Sequence, residues 1–522
     1  MMNSGLLLVL LAGAVVGCGG RGLAPADAGR DVPPPVDARD AAVPEAVDGA
    51  PEPDVISTPD TAPILDASDA ATDATATDAT DATDGGTLVR YLGTFHFQAP
   101  YNVSFVAIGA DGAYYLAGDF AQPIDVSPGE ARWTPQGPND AFLLKLKPDG
   151  SYAWGVTWGG PSAITSVRRV AVAGSSIVVS GIYDDTVDFD PGPGFAERPA
   201  VDGGFSSFAV SFSTTGAFRW ASTFVSTSNC NAAGLAMDAA GDVYLSGAFS
   251  GLTDFDPGPG IDEHFSPGGA QVGFLVKLGG ADGRRLWLTT FTGASCHGGL
   301  DAVTVSPDGD VWVTGSAESC TFAGSTGAAF VGNTLVASFA PSGAPRFAGW
   351  LKGDANVPRG IAAAPDGSIY VTGYGDGVVD FDPGPGEETR EVMVQTTSVD
   401  LFVVKLSALG EFRWVHTIPT LSPLDLVTRP DNGVLVLGAP RDPRPDDASS
   451  LGTLLVKLES DGTPAWTVAT GSTGVSPTGI AGGPTGFAVT GAGEKSASYA
   501  PVPAVDTLPA GIMFLSRFGD VQ

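Results

Sequence analysis

The sequence predicts an all-β fold made from one four-stranded unit repeated seven times. Three observations lead there. A glycine closing an apolar run recurs about every sixty residues, at Gly118, Gly181, Gly247, Gly315, Gly373, Gly438 and Gly491. Asp-Gly pairs sit between alternating apolar runs, a strong short-range hairpin signal. Gly (72) and Pro (41) are abundant while charged residues make up only 16% of the chain, which suits many tight turns between strands rather than helices.

Within a unit the elements follow in a fixed order. The first strand is an alternating run such as Val106 to Ala110, ending at the turn Asp111-Gly112. The second runs from that turn to the recurring glycine, as in Tyr114 to Gly118. After a long loop comes a third strand, as in Phe142 to Leu146, then a turn at Asp149-Gly150 and a fourth strand carrying Trp154. The fourth-strand aromatic recurs as Trp220, Trp287, Phe347 or Trp350, Trp414 and Trp466, and the last unit has none. The chain ends at Phe514 to Phe518, which matches a third strand, while Leu88 to Leu92 resembles the fourth strand Phe412 to Val415. The expected architecture is therefore a seven-bladed β-propeller closed by pairing of the N-terminal strand with the C-terminal blade. Such closure removes the open edges on which β-arrays aggregate.

The repeat resembles the bacterial seven-bladed β-propeller repeat family in its second strand Gly241 to Gly247, third strand Phe402 to Leu406 and fourth strand Phe412-Arg413-Trp414, over residues 88 to 518. No Trp-Asp dipeptide ends the strands, which separates the units from WD40 blades. The resemblance implies a surface or secreted scaffold and no particular reaction.

Upstream, residues 1–18 carry an apolar stretch, Leu6 to Val16, too short to span a bilayer and ending in Val15-Val16-Gly17-Cys18. The segment resembles a bacterial lipoprotein signal peptide, which implies diacylation of Cys18 and a lipid anchor in the membrane. Met1 to Gly5 holds no Lys or Arg, a departure from that pattern, and Gly19 in place of Asp implies sorting to the outer membrane. Residues 19–86 are dominated by Ala, Asp, Pro and Thr, with too little apolar content to offset chain entropy, and are expected to form a disordered tether. The folded domain is then 87–522. A formal net charge of −32 repels phosphate backbones and argues against nucleic acid as a partner. A monomer is expected, with a surface protein or a polysaccharide as the open partner classes.

The most distinctive motif is Asp-Phe-Asp-Pro-Gly-Pro-Gly, present at Asp188 to Gly194, Asp254 to Gly260 and Asp380 to Gly386, always in the long loop between second and third strands. Two carboxylates on one side of a sharp turn suit calcium, so Asp188 with Asp190, Asp254 with Asp256, and Asp380 with Asp382 form the candidate metal set. The competing reading is that the first Asp caps a turn, Phe packs between blades, and the Pro-Gly pairs stiffen the loop. Cys230, Cys296 and Cys320 fall on one face of the expected fold. Cys296 with Cys320 is the favoured disulfide, and Cys230 with Cys296 the alternative.

No catalytic residue is assigned. The histidines His96, His264, His297 and His416 lie in different units without a recurring acidic partner, and no nucleophile elbow, zinc-protease or phosphate-loop motif is present. The expected function is a cell-surface lipoprotein whose propeller serves as a binding or structural scaffold. Two alternatives stay open: a carbohydrate-active hydrolase or lyase with acidic residues on the long-loop face, and a calcium-dependent adhesion module.

Overall fold

A computed structural model describes residues 89–98, 103–127, 131–266, 269–293, 296–318, 320–322, 334–392, 400–419, 421–440, 453–470, 475–493, 497–498, 507–508 and 512–520. The signal-peptide segment with Cys18 and the tether at 19–86 lie outside the described residues. Among those described the fold is all-β, with antiparallel pairing throughout the named strands and no α-helix.

The first strands of the repeats are Val103–Ile108, Thr165–Ala173, Asn229–Met237, His297–Val305, the C-terminal half of Pro345–Ala363, Leu421–Thr428 and Val475–Gly483. Each pairs with its second strand, and the second with the third; the third pairs with the fourth. Successive first strands touch in chain order, and Val475–Gly483 also lies against Val103–Ile108. At the chain ends, Val89–Gln98 pairs antiparallel with Ile512–Asp520, adding an N-terminal strand to the last sheet.

The recurring glycine is explained by a close approach. Gly181, Gly247, Gly315, Gly373 and Gly491 face Val167, Ala232, Leu300, Pro358 and Pro477 of their first strands. A Cβ at any of these five would collide with the preceding carbonyl oxygen of that strand: Ser166, Asn231, Gly299, Val357 or Ser476. Across the other edge, the third-strand partner is an aromatic ring in four of them, and a Cβ would stand 2.6 Å from Phe208, 2.9 Å from Phe274, 2.6 Å from Phe402 and 2.6 Å from Phe514. Only hydrogen fits between carbonyl and ring.

Directly after this contact every first strand carries a β-bulge. The register skips Ser104, Arg168, Ala233, Asp301, Arg359, Leu424 and Thr478 in turn. An extra residue at a bulge increases local twist and re-aims its neighbours. Repetition at one depth of seven strands makes it a designed feature of the unit. Pro358, Pro423 and Pro477 fit here because a first strand pairs on one side only, so a missing N–H leaves no ladder bond unmade.

The fourth-strand aromatics clasp one unit to the next. The indole N–H groups of Trp154, Trp220, Trp287 and Trp414 donate to the carbonyls of Thr214, Gly280, Pro341 and Ser460, at 3.0–3.2 Å, in the third-to-fourth turn of the following unit. Each ring also lies over the turn glycine, as Trp154 does over Gly216 and Trp287 over Gly343, where φ is 87° at both. Phe347, not Trp350, takes this place in the fourth unit, against Gly410.

At the chain ends the pattern shifts. Gly93, rather than Tyr91, stands opposite Arg517, where Trp414 stands opposite Lys405, so the resemblance of Leu88–Leu92 to Phe412–Val415 is out by two residues. Phe95 covers Gly150 of the first unit instead, and Arg517 stacks over Phe95 at 4.2 Å while donating to the carbonyl of Pro148. The last unit is made from two chain ends, so Trp466 meets no third-to-fourth turn there. It stacks on Phe487, which stacks on Phe518.

A third-strand lysine, the cross-strand neighbour of the fourth-strand aromatic, ties the same end of the sheets. Lys145, Lys277, Lys405 and Lys457 reach the first-to-second turn carboxylates Asp111, Asp238 with Asp242, Asp366 and Asp431. Lys145, Lys277 and Lys405 also lie 5.0–5.2 Å over the rings of Tyr115, Tyr244 and Tyr370.

Gly247→Ala is expected to destabilise the protein by about 2 kcal/mol or more, because the methyl group has nowhere to go. Gly174→Asn should change stability by less than about 0.5 kcal/mol, since Gly174 has φ 55° with no atom nearby and Asn tolerates that conformation. Equilibrium urea denaturation of both variants checks the contrast.

Candidate binding cavity among the first strands

The three Asp-Phe-Asp-Pro-Gly-Pro-Gly loops have the same internal bonding. Asp188 Oδ1 accepts the amides of Asp190 at 3.1 Å and Ala196 at 2.8 Å. Asp254 accepts those of Asp256 and Asp262, and Asp380 those of Asp382 and Glu388. The second carboxylates, Asp190, Asp256 and Asp382, accept the amides of Gly192, Gly258 and Gly384, each at 2.8 Å. Both acidic positions of the motif therefore bond backbone amides and shape the loop. Among the described residues no group of three or more His, Cys, Asp or Glu side chains gathers around a common point.

The motif phenylalanines, Phe189, Phe255 and Phe381, are fully buried and meet Phe208, Phe274 and Phe402 at 5.1 Å. Those are the rings that cover Gly181, Gly247 and Gly373. The loop is thus pinned to the same glycine contact that sets the sheet. Beyond the last motif glycine the chain returns to solvent, leaving Phe195 85% and Ile261 77% exposed.

Cys296 and Cys320 are bonded to each other, with Cα atoms 4.5 Å apart. Cys230 is a free, fully buried thiol that burial pushes up to about 12, so it is protonated and inert at neutral pH. The histidines are dispersed. His264 lies 3.5 Å from Asp262 and packs edge-on against Phe255; His416 is half-buried, and burial lowers its proton affinity. His297 opens a first strand, and the side chain of His96 lies outside the described residues.

A concavity of about 540 Å³ lies between the second and third units and is bordered by Arg198, Arg219, Trp220, Arg284 and Arg285. Its guanidinium groups are engaged: Arg198 with the Ala221 carbonyl, Arg219 with Ser175 and Ser176, Arg284 with Asp282, and Arg285 with Asp262.

A second cavity, of about 170 Å³, is walled by all seven first strands at the level of the bulges. Val106, Val170, Leu235, Val303, Ile361, Leu426 and Ile480 give it an apolar wall, broken by Arg169, Arg359 and Asp425. Asp301, the bulge residue beside Ala302, lies within electrostatic reach of both arginines. Arg169 stacks 4.5 Å over Phe105, and Arg359 5.4 Å over Tyr374. The planar faces are held by aromatic rings, leaving the N–H edges for other acceptors.

Electrostatics in the cavity are unusual for a strongly acidic chain. Burial pushes Asp301 up to about 6, in spite of Arg359 and Arg169. Burial also raises Asp425, against the pull of Arg169 and of the amides of Ile480 and Leu426 that bond it. Sequence reasoning passed over all four residues. Their signal is a charge interrupting an otherwise apolar first strand, as in Val167-Arg168-Arg169-Val170 and Leu300-Asp301-Ala302.

No family model matches the sequence, and no curated protein matches it. Solved structures show coarse likenesses. The Dos1 propeller is 8% identical, covering 82% of this chain and 95% of that one, with a TM-score of 0.40. YCF48 bound to D1 peptide is 10% identical, covering 83% and 96%, with a TM-score of 0.35. A protein of unknown function from Bacteroides caccae is 12% identical, covering 63% and 89%, with a TM-score of 0.33.

The raised Asp301 carboxyl has a signed consequence. The folded chain holds this proton more tightly than the unfolded chain, so the group's contribution to stability falls as pH rises from about 4 to about 6. Asp301→Asn removes that cost. Its gain in stability over the parent is expected to be larger at about pH 7.5 than at about pH 4, by roughly 1–3 kcal/mol, in paired thermal melts.

Proposed function

We propose that this chain is a lipid-anchored scaffold of the bacterial outer membrane, carrying a closed seven-bladed β-propeller that binds a partner and catalyses no reaction of its own. The observation that carries the reading is how the repeated side chains are used. The recurring glycine admits the bulge, the recurring tryptophan clasps the next unit, the recurring lysine ties the turns, and the motif aspartates bond loop amides. What the units share is spent on holding the units.

Closure into seven blades is supported by the cavity walled by all seven first strands, by the contact of the last first strand with the first, and by pairing of the two chain ends. Partner binding is placed on the long-loop rim. Rigid scaffolds present recognition on loops, and exposed Phe195, Ile261 and Phe265 project from the long loops of the second and third units. Lipid anchoring is supported by the lipobox ending at Cys18, and the tether at 19–86 would hold the domain away from the bilayer.

Anchoring is tested by metabolic labelling with a clickable palmitate analogue in a bacterial host. The full chain should incorporate label and sediment with membranes, and Cys18→Ser should lose both. Label retained by the serine variant would remove the anchor from the proposal. Closure is tested at Phe95, which joins the N-terminal strand to the first unit. Phe95→Ala should lower stability by about 2 kcal/mol, a half-buried fraction of the usual cost of emptying a phenylalanine site, read from the denaturation midpoint.

A further inference from the structure

Arg169 and Arg359 line the cavity among the first strands, and among the described residues neither forms an ion pair with a carboxylate. Arg169 donates one N–H to the carbonyl of Arg168, and Arg359 one to the Tyr374 hydroxyl. A guanidinium is a fork of several N–H donors, so each keeps others with no acceptor among the described residues. Phe105 and Tyr374 cover the guanidinium faces, and both side chains keep part of their surface accessible to water. The carboxylate in the lining, that of Asp425, already accepts the amides of Leu426 at 2.9 Å and Ile480 at 3.3 Å. Asp301 stands on the bulge beside Ala302, outside the lining. The larger concavity differs, because each of its guanidinium groups has acceptors beside it.

Unpaired guanidinium edges in a small, mostly apolar space select a ligand with acceptor oxygens at one end and hydrocarbon at the other. We propose that this cavity binds a short-chain monocarboxylate, its carboxylate on the N–H edges of Arg169 and Arg359 and its alkyl tail against Val106, Leu235, Ile361 and Ile480. The two oxygens of a carboxylate match the guanidinium fork in plane and spacing. A dianion such as phosphate would turn its second charge toward the apolar wall and Asp425, and a buried charge without a partner is costly. An amino acid would bring an ammonium to a lining whose carboxylate is already bonded by two amides. The volume of about 170 Å³ equals the share of roughly six water molecules at ~30 Å³ each, which limits the tail to a few carbons. The inference depends neither on lipid anchoring nor on the loop rim.

Calorimetric titration of the full chain at neutral pH tests it with three probes. 3-Methylbutanoate carries both features, 3-methylbutanamide keeps the shape without the charge, and acetate keeps the charge without most of the tail. 3-Methylbutanoate should bind saturably with Kd of about 1 mM or tighter. The amide, lacking the charge-assisted contact, and acetate, lacking the buried carbons, should each bind about tenfold or more weakly. Arg169→Gln and Arg359→Gln should each weaken 3-methylbutanoate about tenfold while keeping a cooperative melt. No saturable heat with 3-methylbutanoate overturns the proposal. So does the amide binding as tightly, which would mean that the arginines do not read charge, or acetate binding as tightly, which would leave an anion site with no pocket for a tail. Unchanged affinity in a folded arginine variant overturns it as well. Should one variant fail to fold, the other and the three probes still decide.

Discussion

The rest of this structure depends on one close approach, the backbone of the second strand pressed against a first-strand carbonyl at the recurring glycine, seen at Gly181, Gly247, Gly315, Gly373 and Gly491. A side chain there would strike that carbonyl and, at four of these glycines, the ring across the sheet, so the position admits hydrogen alone. Immediately beyond it the first strand bulges, in all seven units and at one depth. The bulge adds twist at the innermost strand. It also determines which residues reach the central cavity.

The units are joined by repeated pairwise clasps, so stability is distributed along the chain as in other repeat architectures. Each indole buries ring area and adds one hydrogen bond worth about 1 kcal/mol net, small singly and large when repeated. The third-strand lysines work the same way at the neighbouring first-to-second turns. Lys277 has its proton affinity raised by Tyr244 and Asp242 against the burial that opposes it, so the ammonium persists at all physiological pH. The exception lies where two chain ends share a sheet. Phe95 and Arg517 replace the indole there over the first unit's turn at Gly150, while Trp466, whose turn is interrupted by the termini, stacks on Phe487 instead.

The Asp-Phe-Asp-Pro-Gly-Pro-Gly loops are an extension of the same contact. Phe189, Phe255 and Phe381 rest on the rings that cover the glycines of their units, and the flanking carboxylates fold the loop over them. Units without the motif carry the glycine all the same. The motif therefore adds a rigid loop to a sheet that stands without it, and its tip presents exposed apolar residues where scaffold geometry is most uniform.

The sequence by itself determined the all-β repeat unit and its strand order, and predicted its seven-fold count and the pairing of the two chain ends, because turn chemistry and strand alternation are local and repetition multiplies a weak signal. It also placed the disulfide candidates and the motif on the long loops. Tertiary structure decided the rest. That Asp188 accepts two amides depends on where Ala196 returns, eight residues on, and the closing strand was read two residues early, at Tyr91 rather than Gly93, because register there is set by packing against another unit. The cavity charges were invisible for a stronger reason. Arg169, Arg359 and Asp425 come from three units and are isolated in the chain, and only the convergence of the first strands brings them to one cavity, with Asp301 within their electrostatic reach.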